Sequence, residues 1–418
     1  MAHIFLKKKA LYFLILFVLS SFCLTIFVIN TTATTTTTTD TIIATISHLR
    51  AGTKRGVSFF PITAGIGRSA KRTVNTRKGK TKKKTCRPKR NILFLKTHKT
   101  GSSTIQNIFL RYGDRNNLTI VLPEKYNYFG HPQPFNRSML LPRYNQNSLT
   151  SQNNIFAHHT RFNYEEMKSF MPNDTLFITI LRDPVSLTES LFSYYNLKRL
   201  FGEDSSMHFL ETFFSISPNV SAYHALSYRR HLRKFGRNQM SFDLGFAVEN
   251  FDNLEAIQEF IQSIDSRFHF VMIADRMYES LVHLRHLLCW TVNDMIAFRH
   301  NARSDNNIEH FTDDLKQRIR LFNIADELLY KHFSDKLTRL TKKFGNGTMQ
   351  KEISHLKSAT KKMFHKCFKD EDSNTMIVNY RQNHTMSKTC HDLVIAELPY
   401  TDLLREKQSQ HQTTTFII

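Results

Sequence analysis

The sequence predicts an α/β domain built on a parallel sheet and standing behind an N-terminal membrane anchor. Three observations carry this expectation. Strand-length apolar runs alternate with helical patterns from about residue 91 onward; one uncharged apolar stretch near the N-terminus is long enough to span a bilayer; and 418 residues suit one large core plus an anchor.

The anchor comes first. Lys7, Lys8 and Lys9 precede residues 10–29, about the twenty needed to cross a membrane as a helix. A cleaved signal peptide is the rival, but its apolar region is shorter and ends in small residues, whereas Phe27, Val28 and Ile29 end this one. Positive charge before the span favours a cytoplasmic N-terminus, against which the basic residues behind it weigh. The expected organisation is a cytoplasmic tail at 1–9, a transmembrane signal anchor at 10–29, a Thr-rich then basic stem at 30–90 and a single folded domain at 91–410.

The net charge of +23 raises nucleic acid as a partner, and the position of the charge argues against it. No acidic residue lies between Asp40 and Arg90, while eleven Lys and Arg crowd residues 71–90. That run reads as a solvated stem. Six sequons, at Asn117, Asn136, Asn173, Asn219, Asn346 and Asn383, place the body in the secretory lumen. Cys23 lies in the span, which leaves Cys86, Cys289, Cys367 and Cys390 where disulfides persist. Cys367 and Cys390, closest in sequence, are the favoured pair; Cys289, in an apolar run, is as readily a buried free thiol. No Cys and His cluster has zinc spacing, and no metal is expected.

Within the body, residues 91–95 read as a strand, followed by a Gly-containing loop and a helix over about 103–112. Strands follow at 154–157 and 175–181, the latter stopped by Arg182-Asp183-Pro184, with Pro184 placed to open a helix. Residues 268–274 make a further strand and 276–290 a helix. Thr312 caps a long amphipathic helix to about Phe344, with Leu315, Ile319, Phe322 and Leu329 as its apolar stripe. Ligands of such sheets bind beyond the carboxyl ends of the strands.

Two segments there carry chemistry. Lys96-Thr97-His98-Lys99-Thr100-Gly101-Ser102-Ser103-Thr104 joins a strand to a helix N-terminus, where backbone N–H groups and hydroxyls cradle an anion. It is not a Walker loop, since Lys99 precedes the only Gly. A plain strand-to-helix turn would explain Ser102 but not two lysines, a histidine and four hydroxyls together. In the second segment, Arg182 at a strand end and Ser190, about 9 Å along the next helix, can meet one phosphate. A turn ion pair between Arg182 and Asp183 is the bland alternative.

Together the two segments resemble the cofactor motifs of the sulfotransferase superfamily. With His159-Thr160-Arg161-Phe162-Asn163, residues 189–195, Asp243-Leu244-Gly245, residues 287–290 and Asn301-Ala302-Arg303, the chain is similar to the galactose-3-O-sulfotransferase family over about residues 91–405. The long basic stem departs from the pattern outside the catalytic region. The resemblance implies a sulfotransferase fold related to P-loop nucleotide kinases and a Golgi membrane enzyme of single-pass type II topology. It also implies 3′-phosphoadenylyl sulfate (PAPS) as co-substrate and the 3-hydroxyl of a terminal β-galactose as acceptor. A glycolipid such as galactosylceramide is favoured over a glycoprotein glycan, and a homodimer is compatible with the pattern. Lys96, Thr97, Lys99, Thr100, Gly101, Ser102, Ser103 and Thr104 would hold the 5′-phosphosulfate end, Lys99 meeting the leaving oxygen. Arg182 and Ser190 would hold the 3′-phosphate. His159 is the favoured general base, with His158 and His98 as rivals.

Three other classes compete. A kinase with a variant loop lacks a recognisable acidic strand end to hold metal. A catalytically silent glycan-binding protein would not need Lys99, Arg182, Ser190 and His159 together. Polyanion binding through the stem is separable by deleting residues 71–90.

Overall fold

A computed structural model describes residues 86–195, 210, 214, 236–298, 311–372, 379–382 and 386–415, all within the unit Lys83–Ile418. The expected tail and span at 1–29, residues 30–85 of the expected stem, Asn301-Ala302-Arg303 and the sequons at Asn219 and Asn383 lie outside these residues, while the end of that stem, 86–90, is tied to the body by Lys89 N–H donating to Leu288 O at 2.9 Å. Among the described residues no helix is long and apolar enough to cross a membrane.

The core is a five-stranded sheet of β1 (Ile92–Leu95), β2 (Thr119–Val121), β3 (Asn153–Phe156), β4 (Leu176–Leu181) and β5 (Phe270–Ile273), in the order β2-β3-β1-β4-β5. Every pairing is parallel. All four residues of β1 are fully buried, as a central parallel strand covered on both faces requires. Ile92 lies opposite Ile155 on one side and Leu176 on the other. The chain leaves β1 toward one edge and later crosses to β4 on the opposite side. The carboxyl ends of β1, β3 and β4 therefore surround a topological switch point.

Helices α1 (Ser102–Arg115), α2 (Tyr164–Phe170) and α3 (Pro184–Tyr194) follow β1, β3 and β4. Beyond them come α4 (Gln239–Asp243), α5 (Leu254–Arg267), α6 (Met277–Leu288), α7 (Asp313–Phe322), α8 (Ile324–Phe344) and α9 (Asn346–Cys367). A hairpin of β6 (Phe368–Asp372) and β7 (Asn379–Gln382) precedes α10 (Lys388–Val394) and α11 (Glu397–Thr415). Pro184 opens α3 as its sequence signal requires, and Asp183 caps it by accepting Val185 N–H and Ser186 N–H at 3.1 Å.

The sequence reading differs from this architecture in three places. The three-residue strand β2 has too short a pattern to register. The single helix expected from Thr312 to Phe344 is two: its Thr312 cap is present, but the backbone leaves helical angles at Asn323 (φ −107°, ψ 46°). There Asn323 Oδ1 accepts Asn238 N–H at 2.9 Å and its amide donates to Thr188 Oγ1 at 3.2 Å. A tertiary contact thus overrides a continuous helical pattern. Cys289 is not a free thiol but is joined to Cys86, 203 residues away, while Cys367 and Cys390 pair as expected.

Candidate active site

Beyond the carboxyl ends of β1, β3, β4 and β5 lies a cavity of about 520 Å³. One wall is the loop from β1 into α1. Its backbone turns through left-handed angles at Lys99 (φ 56°) and Gly101 (φ 74°), the latter at the N-cap of α1. Thr97 Oγ1 donates to Ile180 O at 2.7 Å and lies 2.8 Å from Thr100 Oγ1, while Ser102 Oγ donates to Thr97 O at 2.6 Å. These bonds pin the loop to β4 and leave residues Lys99 through Thr104 lining the cavity. A helix N-terminus with flanking hydroxyls and a cation favours an anion there.

Arg182, past the end of β4, and Ser190, on α3, line the same cavity. Arg182 Nη1 donates to Lys99 O at 3.1 Å, joining the two motifs through one guanidinium. Asp183 pairs instead with Arg320 at 2.6 Å, so a turn ion pair with Arg182 is not what holds this corner.

Two residues expected at the cofactor do not reach the cavity. The Lys96 side chain is 1 % exposed and turns away to an ion pair with Glu397 at the start of α11; Thr97 points into the sheet. Burial lowers the lysine's pKa more than Glu397 restores it, while at Glu397 the lysine's charge outweighs burial and holds the carboxyl low. The charged atoms are in contact, and we read the pair as ionised. Next to it, His158 Nε2 meets Thr401 Oγ1 at 3.0 Å, and burial lowers its pKa to about 4. His158 thus faces α11 and His159 the cavity, as neighbours at a strand end alternate.

The opposite wall is a stack of rings. His159 lies against His98 at 4.4 Å and Tyr128 at 4.8 Å between centroids, with His131 at 4.8 Å from His98. Asp243 organises the group: its Oδ2 accepts both the backbone N–H of His98 at 2.8 Å and His98 Nδ1 at 2.9 Å, and its Oδ1 accepts Gln239 Nε2 at 2.8 Å. Burial opposes charge on Asp243, yet His98 and His131 more than offset it and keep the carboxylate ionised. Nδ1 of His98 must therefore carry a proton, so that in the neutral ring Nε2, 3.1 Å from Tyr128 Oη, is the acceptor nitrogen. His159 Nδ1 donates to Lys96 O at 3.1 Å, so its Nε2 is likewise bare. Burial, then the charges of Lys96, His98 and His131, hold the His159 pKa well below 6.5.

Asp243 is presented by two segments that sequence reading kept apart. Arg161 Nη2 donates to Phe246 O at 2.9 Å and Phe162 N–H to Asp243 O at 2.8 Å. Gly245 (φ 93°) passes so close that a Cβ would sit 2.6 Å from Phe162 O. Behind α4, buried Asp326 on α8 accepts Met240 N–H, Ser241 N–H and Ser241 Oγ; burial raises its pKa to about 6 despite those bonds. Asp243 belonged to a quoted motif but carried no role, while Tyr128, His131 and Glu397 gave no local signal. Among the described residues, His98, His131 and Asp243 are also the one group close enough to hold a metal ion, with ligand atoms within 4.8 Å. A cation there would have to displace the His98 ring proton from Asp243.

The site therefore offers an anion cradle with one lysine, a separate arginine and serine for a second anion, and a stacked pair of imidazoles on the facing wall. A family model described as galactose-3-O-sulfotransferase matches residues 3–407. Mouse galactosylceramide sulfotransferase is 36 % identical over 287 residues, covering 68 % of this chain and 65 % of that protein. The human protein of the same name is 35 % identical over 283 residues, covering 66 % and 64 %. Mouse galactose-3-O-sulfotransferase 3 is 33 % identical over 285 residues, covering 67 % and 64 %. The aligned region thus spans just under two thirds of the length of these relatives. With the family model covering nearly the whole sequence, the chain belongs to the galactose-3-O-sulfotransferase family.

Proposed function

We propose that the protein transfers the sulfuryl group of PAPS to the 3-hydroxyl of a terminal β-galactose, with a glycolipid such as galactosylceramide as the favoured acceptor and glycoprotein glycans as the second. The observation that carries this reading is the cavity in which the loop Lys99–Thr104, Arg182 with Ser190, and the histidine wall converge. The loop takes the 5′-phosphosulfate end, while Arg182 and Ser190 take the 3′-phosphate. Family membership and the relatives' names supply the galactose. The anchor at 10–29 and the sequons support a Golgi membrane enzyme of type II topology with the domain in the lumen.

In the transfer, the galactose O3–S bond forms as the bond from sulfur to the bridging oxygen of the 5′-phosphate breaks. Negative charge grows on that oxygen as 3′,5′-ADP leaves, and Lys99 donates to it. The hydroxyl proton goes to an imidazole Nε2. His98 is the better supported of the two, since Asp243 holds it in the required tautomer and balances the imidazolium that forms, with Tyr128 Oη giving up its contact with Nε2 to the sugar hydroxyl. His159, with burial and the Lys96 charge opposing protonation, serves as its stacked neighbour and hydrogen-bond partner for the sugar.

The test is to incubate the full chain in detergent with radiolabelled PAPS and a panel of β-galactosides, glycolipid and glycoprotein. Label on the galactose 3-position of at least one acceptor is expected. Transfer to none of them, with PAPS bound, would leave a donor-binding protein without this activity.

A further inference from the structure

We propose that Tyr194 is a positioning residue for Lys99: its ring face holds the lysine ammonium at the mouth of the anion loop, ready for the leaving oxygen. This rests on Lys99 being the lysine that meets that oxygen. Lys99 Nζ lies 3.7 Å from the centroid of the Tyr194 ring. Tyr194 closes α3 four residues, about one turn, after Ser190, and both line the cavity. Residues four apart on a helix share a face, so the helix that offers Ser190 to the 3′-phosphate also offers this ring to Lys99. Tyr195 packs edge-on against the ring at 4.9 Å and 86° and fixes its plane.

A ring is the fitting partner for a lysine with this task. A four-carbon lysine stem has several rotatable bonds, and confining it beforehand removes entropy that the reaction would otherwise have to overcome. A carboxylate would confine it too, but would neutralise the charge needed at the leaving oxygen. A π face attracts the cation without cancelling it. Tyr194 is 54 % exposed, so its contribution to the core is small. Arg182 grips the Lys99 carbonyl, so backbone and side chain of this residue are fixed from β4 and α3 respectively.

The experiment is a double-mutant cycle on the full chain with Tyr194→Leu, Tyr194→Phe, Lys99→Met and the Lys99→Met/Tyr194→Leu pair, reading kcat and the KM for PAPS. Tyr194→Leu is expected to lower kcat about tenfold, the size of a partly desolvated cation–π contact, with KM for PAPS within twofold. Tyr194→Phe, which keeps the ring, restores most of the rate. In the Lys99→Met background, Tyr194→Leu costs nothing further, because its effect passes through the ammonium. Multiplying losses in the pair, a Tyr194→Leu enzyme with unchanged or raised kcat, or a Phe variant as slow as the Leu variant overturns the proposal. Full activity in Lys99→Met removes the role of Lys99 itself and the proposal with it, whereas a slow Lys99→Met with multiplying losses removes only Tyr194.

Discussion

The two walls of the cavity reach the same space by opposite routes. The anion wall is local: residues Lys99 to Thr104 are contiguous between β1 and α1, and Arg182 and Ser190 belong to one strand and the helix that follows. The histidine wall is assembled from residues far apart in sequence, with Asp243 bonded to His98 across 145 positions. A local cradle spreads its work over many N–H groups and hydroxyls, so one substitution removes a share of it. A buried network with one ionised carboxylate at its centre has no such redundancy.

That contrast predicts its own largest effect. Asp243→Asn keeps the side-chain volume but removes the counter-charge and the fixed tautomer of His98. Turnover should fall by about 10² to 10⁴, the range of general-base catalysis, with 3′,5′-ADP binding within about twofold. Single-turnover rates and calorimetric binding measure the two quantities separately. Equal losses in both would mean that the two walls are one unit.

The next effect is on stability. Lys96→Met leaves Glu397, mostly buried at the cavity wall, without its counter-charge, at a cost of up to about 3–5 kcal/mol by denaturant unfolding. Lys96→Met/Glu397→Leu should recover most of it, because the pair can be replaced by apolar packing. A double variant as unstable as the single one would show that the ion pair itself, rather than the orphaned carboxylate, sets the cost.

The same contrast explains what the sequence made readable. The loop from Lys96 and the turn at Arg182 announce themselves because strand, anion loop and helix cap are neighbours in the chain, and Pro184 and Thr312 mark helix starts by local chemistry. Even there Lys96 misled: a lysine next to an anion loop reads as a ligand until α11, 301 residues on, is seen to claim it. His131 and Tyr128 sit in irregular chain, and only the fold brings them to His98. The break at Asn323 is of the same kind, being imposed by Asn238 rather than by any helix-breaking residue.

At the anion wall the expected losses are smaller and selective. Arg182→Ala should weaken 3′,5′-ADP by about ten- to a hundredfold, the worth of a hydrogen-bonded charge, and 5′-AMP by less than about threefold. Competition against PAPS turnover measures both constants. Equal weakening would place Arg182 at the 5′-phosphate instead and undo the division of the wall into two anion sites.

The smallest effect concerns the two adjacent histidines, and it vanishes at neutral pH. His158, shut behind the site, has its pKa lowered by burial to about 4, against about 6.5 in an unfolded chain. Above pH 7 both states hold it neutral and it contributes nothing. Between about pH 6.5 and 4 the unfolded state binds the proton and the folded state does not, so stability falls as the solution is acidified. The shift corresponds to a loss of about 2 kcal/mol at pH 5 from this residue alone. His159, also lowered, adds to the loss over a window that starts at the same pH. His158→Gln, whose amide can still reach Thr401, should shrink the difference in unfolding free energy between pH 7.5 and pH 5 by about 2 kcal/mol while leaving kcat at pH 7.5 near the wild-type value. His159→Gln should shrink the same difference and also slow turnover, because only that histidine meets the cavity. If His158→Gln left the pH difference intact, His158 would not be the buried neutral group that the fold makes it. If it slowed turnover as much as His159→Gln, the division between a structural and a reactive histidine would fail.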